Sequence, residues 1–353
     1  MTSFIIRCIA GSFMYLLGAF LAPLLLIPLL LRALLSGSIT RLWKKDKFKT
    51  MPTISNINPK YQHQYVQTKS KLKFHYVHTG EYGKPLMLCL HGFPECWYSW
   101  RHVLDEFSDN FYVVAVDLRG YGDSDKPEGI TSYHMKYLMN DVDELVTALG
   151  YEKCVLVGHD WGGAIAWETA HHFPNIIDKL IILNAPSKKG HSKYLALHPW
   201  QSITKFWYIL LFQLPYLGEF FMSNSNYKAL HLMFNGKRGG IKNQANHLSL
   251  EELNLYKYAV GQHITYPINY YRALNPFYSD LNQKYKVELI KQPTLIIWGN
   301  KDNILDVEMV PYLMKEETED AEMAIIDGAS HWVAQDNPAG VCQAMKNFFV
   351  KHK

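Results

Sequence analysis

The sequence predicts an α/β protein: a mostly parallel sheet with helices on both faces, an inserted helical lid and an N-terminal transmembrane helix. Three observations carry this. Short apolar runs at 86–90, 112–116, 154–157 and 180–183 alternate with helix-like stretches such as 139–149 and 164–172. Strand–helix alternation implies a parallel sheet, and strands buried on both faces read as continuous apolar runs, as these do. The rhythm then breaks after Pro186. Residues 187–287 are rich in Phe, Tyr, Trp, Leu and His, show helix-like periods and hold no clear strand. Strand-like runs resume at 293–298 and 322–326. An insertion within one α/β domain explains this better than two domains in series. Finally, residues 8–31 carry no charge and are bracketed by Arg7 and Arg32.

The elements follow in chain order. A bilayer core needs roughly 20 apolar residues in a helix, so 8–31 is long enough to span. A cleaved signal has an apolar region of only about 7–15 residues and ranks second. Pro23 and Pro28 are costly inside a soluble helix and better tolerated in a membrane one. Arg32, Arg41, Lys44, Lys45, Lys47 and Lys49 outnumber Arg7 and the terminal amine. The positive-inside rule therefore places the domain in the cytosol, as an uncleaved single-pass anchor at the endoplasmic reticulum. The absence of any Asn-x-Ser/Thr acceptor leans the same way. The basic stretch 32–69 reads as linker and entry segment. The core spans 70–186, beginning with an alternating strand at 71–77. The lid spans 187–288, and the core resumes over 289–353.

Composition bounds the function classes. The 353 residues hold 36 Lys and Arg against 32 Asp and Glu, a net charge of +4. That balance excludes a dedicated nucleic-acid binder. The five cysteines form no C-x-x-C pair, so neither a disulfide framework nor a structural zinc site is indicated.

The chemistry gathers at strand ends, where open α/β sheets build their sites. Gly158-His159-Asp160-Trp161-Gly162 follows one strand and precedes Gly163-Ala164-Ile165-Ala166. It has the form of a nucleophile elbow, G-x-S-x-G, with Asp in place of Ser. A Gly-rich turn with a solvated Asp is the plain alternative, but no other G-x-S-x-G competes. His91-Gly92-Phe93-Pro94-Glu95 occupies the loop that supplies backbone N–H to an oxyanion. Pro94 fixes that turn, through a cis bond or otherwise. Trp298-Gly299-Asn300-Lys301-Asp302 and Gly328-Ala329-Ser330-His331-Trp332 complete the set. Asp160, Asp302 and His331 stand in the order nucleophile, acid, histidine. Asp306, Asp327 and Asp336 compete with Asp302, which is best placed directly after a strand and its Gly turn.

With these motifs in place, the chain resembles the α/β-hydrolase epoxide hydrolases from about Lys71 to its end, and most closely their membrane-anchored group. Trp97-Tyr98-Ser99-Trp100-Arg101 and Asp117-Leu118-Arg119-Gly120-Tyr121-Gly122-Asp123-Ser124 belong to the same resemblance. It implies two lid tyrosines that hold and protonate an epoxide oxygen. Trp207-Tyr208-Ile209-Leu210 and Asn269-Tyr270-Tyr271-Arg272 match their settings. Tyr208 and Tyr271 are chosen, with Tyr270 the competitor.

The chemistry suits the residues. Asp160 attacks a ring carbon and forms an alkyl ester, where Ser would form a stable ether. His331 deprotonates water, Asp302 orients the imidazole, and the N–H groups of Phe93 and Trp161 form the oxyanion hole. No metal or organic cofactor is required. The expected partner is a small-molecule epoxide, of lipid or fatty-acid type because the anchor places the domain where such molecules partition. A haloalkane or haloacid dehalogenase shares the Asp–His–acid set, but needs halide-binding donors in place of two phenols. A non-catalytic anchored binding protein on the same fold is the alternative from a different class.

Overall fold

The computed structural model describes residues 2–35, 39–44, 50–55, 57–200, 205–278 and 288–353. Lys45, Lys47 and Lys49 of the basic linker lie outside them.

Among the described residues, eight strands form one sheet in the order β1-β2-β4-β3-β5-β6-β7-β8. They are β1 Gln62–Gln67, β2 Lys73–Thr79, β3 Leu86–Leu90, β4 Tyr112–Val116, β5 Cys154–His159, β6 Ile177–Leu183, β7 Thr294–Gly299 and β8 Ala321–Ile326. The pairs β1–β2 and β2–β4 are antiparallel, and every other pair is parallel. The apolar runs form its centre. Every residue of β3, β4, β5 and β7 is buried, as strands covered by helices on both faces require. Leu88 pairs with Val114 on one side and with Leu156 on the other, which brings the strand ends into line.

Part of the stretch read as linker is sheet. β1 has the sequence Gln-His-Gln-Tyr-Val-Gln and is exposed along almost its whole length. It is an edge strand held by a partner's backbone, so it carries no apolar run that a sequence reading can find.

The helices of the described residues are α1 Thr2–Leu35, α2 Arg101–Phe107, α3 Met135–Ala148, α4 Trp161–His172, α5 Lys188–Leu197, α6 Trp207–Gln213, α7 Leu217–Asn235, α8 Leu250–Gly261, α9 Thr265–Arg272, α10 Val310–Glu317, α11 Val333–Asp336 and α12 Pro338–Lys351. Helix α1 extends past both ends of the predicted span and contains Pro23 and Pro28. Its apolar stretch Cys8–Pro28 is long and apolar enough to cross a membrane. Helices α5 to α9 form the lid between β6 and β7, and its described residues hold no strand.

One ion pair ties the lid together. Arg272 donates to both carboxylate oxygens of Glu219, at 2.6 and 2.8 Å, and to the carbonyls of Phe212 and Leu214. A bidentate guanidinium that also bonds these two carbonyls fixes α6, α7 and α9 relative to one another. All five cysteines are free.

Candidate active site

The site lies at the carboxyl ends of β3, β5, β6 and β7. Asp160 sits between β5 and α4 with φ 49° and ψ −119°. A non-glycine residue held there stores roughly 1–3 kcal/mol of backbone strain, and strain of this kind clusters at functional sites. The turn is sharp because its neighbours are small. A Cβ on Gly162 would lie 2.1 Å from the Leu90 carbonyl oxygen. A Cβ on Gly92 would lie 2.4 Å from the Asp160 Cβ, so the facing loop approaches the carboxylate only because residue 92 is glycine.

That loop supplies a donor. The Phe93 amide gives a 2.8 Å hydrogen bond to Asp160 Oδ1. The Phe93–Pro94 peptide is cis. Trp161 is the first residue of α4, directly after Asp160.

On the other side, His331 Nε2 stands 3.6 Å from Asp160 Oδ2, an ion-pair distance too long for a hydrogen bond. His331 Nδ1 is 2.8 Å from Asp302 Oδ2. Asp302 Oδ1 accepts from the amides of Ile304 and Leu305 at 2.7 and 2.9 Å. Its rivals are engaged elsewhere. Asp306 pairs with Lys205, Asp327 accepts from Asn300, and Asp336 accepts from the amides of Ser330, Lys242 and Asn243. Burial by itself pushes the His331 pKa down. The Asp302 carboxylate and then Asp160 outweigh it and lift the imidazole to about 10. Burial likewise works to raise the Asp302 carboxyl, but His331 holds it below the usual range, helped by Asn184 and the Leu305 amide.

The lid places its two tyrosines over this pair. The Tyr271 ring packs edge-on against Phe93 at 5.2 Å and Trp161 at 5.1 Å, the two residues that flank the carboxylate. Tyr208 lies 5.8 Å from Tyr271, ring to ring. Burial pushes both phenols well up, and the Asp160 charge adds to the shift in each. Both therefore stay protonated and able to donate. Tyr270 points elsewhere: its hydroxyl donates to the Arg119 carbonyl at 2.8 Å.

Two supports went unseen in the sequence. Asn184, at the end of β6, donates to Asp302 Oδ2 at 2.7 Å. Its signal was a polar residue closing an apolar run. Glu95 and His159 form a buried pair at 2.6 Å, and His159 Nε2 lies 2.9 Å from the His331 carbonyl oxygen. Burial works to raise the Glu95 carboxyl, yet His159 and the donors Gly92 and Ser99 draw it down to about 2. The pair pins the backbone that carries the imidazole. Both residues stood inside legible motifs, but only the folded chain brings them together.

Such a carboxylate elbow, histidine–acid pair and phenol-bearing lid define a hydrolytic enzyme of the α/β class. A family profile described as alpha/beta hydrolase fold matches residues 85–338. The comparisons narrow this further. Epoxide hydrolase 3 of Xenopus tropicalis is 38% identical over 98% of this chain and 95% of its own length. Epoxide hydrolase 4 of Mus musculus is 43% identical over 78% of this chain and 76% of its own. A crystal structure of an epoxide hydrolase mutant from Bacillus megaterium, in complex with its diol product, superposes with a TM-score of 0.72 at 32% identity, covering 81% of this chain and all of that one. The chain belongs to the epoxide hydrolase family.

Proposed function

We propose that this protein adds water to an epoxide through an ester on Asp160, to give a vicinal diol. The observation that carries the reading is Asp160 itself, held at strained dihedrals between the Phe93 amide and His331 and roofed by two protonated phenols.

The charges account for the sequence of steps. In the resting site Asp160 is a carboxylate and His331 an imidazolium. An Asp160 oxygen attacks a ring carbon, the carbon–oxygen bond opens, and a phenol of Tyr208 or Tyr271 gives its proton to the leaving oxygen. Esterification removes the Asp160 charge, one of the two that hold the proton on His331. The imidazole then passes that proton on to restore the phenol, and becomes a free base. It deprotonates a water that attacks the ester's acyl carbon. The oxyanion forms at the Phe93 and Trp161 amides. Collapse breaks the acyl–oxygen bond, the new carboxyl proton goes to the departing alkoxide, and the resting charges return. Water and epoxide are consumed, and one diol is released.

Turnover of a simple aryl epoxide by the full-length chain tests the reaction. A single turnover in ¹⁸O-water tests the route. The diol should be unlabelled and the label should appear in the Asp160 carboxylate. Label in the first diol would refute the ester.

The substrate class follows from the anchor. Helix α1 carries the uncharged stretch Cys8–Pro28, which supports attachment to a membrane and so a lipid or fatty-acid epoxide as substrate. The positive flank favours the cytosolic face of the endoplasmic reticulum, with α1 uncleaved. A glycosylation acceptor added at Lys353 should stay unmodified in cells. Its modification would reverse the orientation and leave the chemistry untouched.

A further inference from the structure

We propose that the N-terminal helix is docked on the lid, and that the two together form one bilayer-facing surface whose partner is membrane hydrocarbon. The inference rests on the anchoring reading above and deepens it.

Helix α1 has two opposed faces. Gly11, Gly18 and Ala22 are buried, and with Tyr15 they recur at i, i+4, i+7 and i+11, a single helical stripe. A Cβ on Gly11 would fall 2.6 Å from Asn275 Oδ1 and 2.8 Å from Phe277 Cβ. One on Gly18 would fall 2.6 Å from the Leu210 carbonyl oxygen in α6. The two glycines thus let α1 approach the lid's backbone directly. Tyr15 adds a polar contact, its hydroxyl 3.2 Å from that of Tyr278. A cavity of about 390 Å³ lies at this junction, lined by Tyr15, Pro215, Thr265, Tyr266 and Tyr278 among others. Beyond the helix, Leu42 is buried and Trp43 packs on Phe220 of α7 at 5.8 Å, while the Lys44 carbonyl accepts from the Asn226 amide. The helix and the turn after it both grip the lid.

The opposite stripe is Ile9, Phe13, Leu16, Phe20, Leu24 and Ile27, every one exposed. The lid adds apolar side chains beside the helix. Tyr216, Leu274 and Phe277 are also exposed, and each is at or close beside a residue that touches α1: Leu214 at Gly18, Asn275 and Phe277 at Gly11. An apolar surface of this extent marks a membrane or protein contact. A bilayer fits better than a protein, because the exposed stripe is apolar and uncharged along its whole length; docked along the lid, the helix meets hydrocarbon side-on instead of crossing it. The docking contacts fall inside the stretch Cys8–Pro28. The lid therefore cannot stand off in water while the helix sits in hydrocarbon.

The arrangement reaches the lid tyrosines. Asn275, at the Gly11 contact, donates to Gln213 Oε1 at 3.1 Å, and Gln213 Nε2 donates to the Tyr271 carbonyl at 3.0 Å. A molecule dissolved in the bilayer meets the tyrosine-bearing face of the enzyme first.

Two measurements on the full-length chain test this. In a Cys8→Ser background, Tyr15→Cys with Tyr278→Cys should be joined in membranes by a flexible bis-maleimide long enough to replace the two tyrosine side chains. Their hydroxyls lie 3.2 Å apart, and neither position needs glycine for the close approach. Absence of the cross-link overturns the docking. Separately, an environment-sensitive dye on Tyr216→Cys or Leu274→Cys, in vesicles holding nitroxide-labelled lipid, should be quenched several-fold more than the same dye on Tyr82→Cys. Tyr82 is exposed and precedes β3, at the sheet end away from the site. Both variants sit at exposed positions and leave the core intact. Protein that floats with the vesicles but shows equal quenching at all three positions overturns the bilayer-facing lid and leaves the anchor standing. Protein that does not float at all overturns the anchor reading beneath it.

Discussion

Replacing Asp160 by Asn removes one of the two negative charges that face His331 and leaves the shape of the site almost unchanged. The carboxylate lies 3.6 Å from Nε2, and the imidazole is held at about 10. At an effective dielectric near 20, a charge at that distance is worth about 4–5 kcal/mol, or roughly three pKa units. The His331 pKa should therefore fall from about 10 into the ordinary histidine range in D160N. Imidazole ¹⁵N shifts of the full-length protein, followed by NMR between pH 5 and 10, read this directly. The mass of the Asp160 peptide shows whether the amide has survived the titration. The folded-state pKa is raised above 6.5, so the pair's stabilisation is complete below pH 6.5 and is lost as pH climbs toward about 10. The wild type should lose stability across that window, and the variant should lose less. A His331 that titrates within about half a unit of wild type would refute the idea that esterification frees the base.

Four further predictions concern the site and its lid. Asp160→Ala should abolish diol formation, and full activity there would end the assignment. His331→Gln should open the ring but not release the product, leaving a substrate-mass adduct on the Asp160 peptide; an adduct on any other residue contradicts the mechanism. Tyr208→Phe and Tyr271→Phe should each slow alkylation by about 10- to 100-fold, and the double variant should be nearly inactive. Wild-type alkylation in the double variant would show that the oxygen is held by other groups. Arg272→Met leaves Glu219 without its partner and two lid carbonyls without a donor. It should destabilise the protein by about 3–5 kcal/mol, read by thermal unfolding.

The central strands and the motifs at their ends were largely legible in local sequence. A buried parallel strand must be apolar throughout, so β3, β4, β5 and β7 announce themselves. A strained elbow must be flanked by glycine, so Asp160 does too. Other features depend on residues far apart in the chain. β1 is a polar edge strand, held by hydrogen bonds to β2 that no composition records. Which of Tyr270 and Tyr271 faces Phe93 and which bonds to Arg119 is a matter of how α9 is rotated against the core. Asn184 reaches Asp302 across 118 positions of sequence, Glu95 reaches His159 across 64, and His159 reaches the His331 carbonyl across 172. In residues 8–31 the sequence determined an apolar helix, because length and charge suffice for that. Which side of it meets the lid was decided only by tertiary structure, since two glycines become a contact face only when a partner's backbone lies against them.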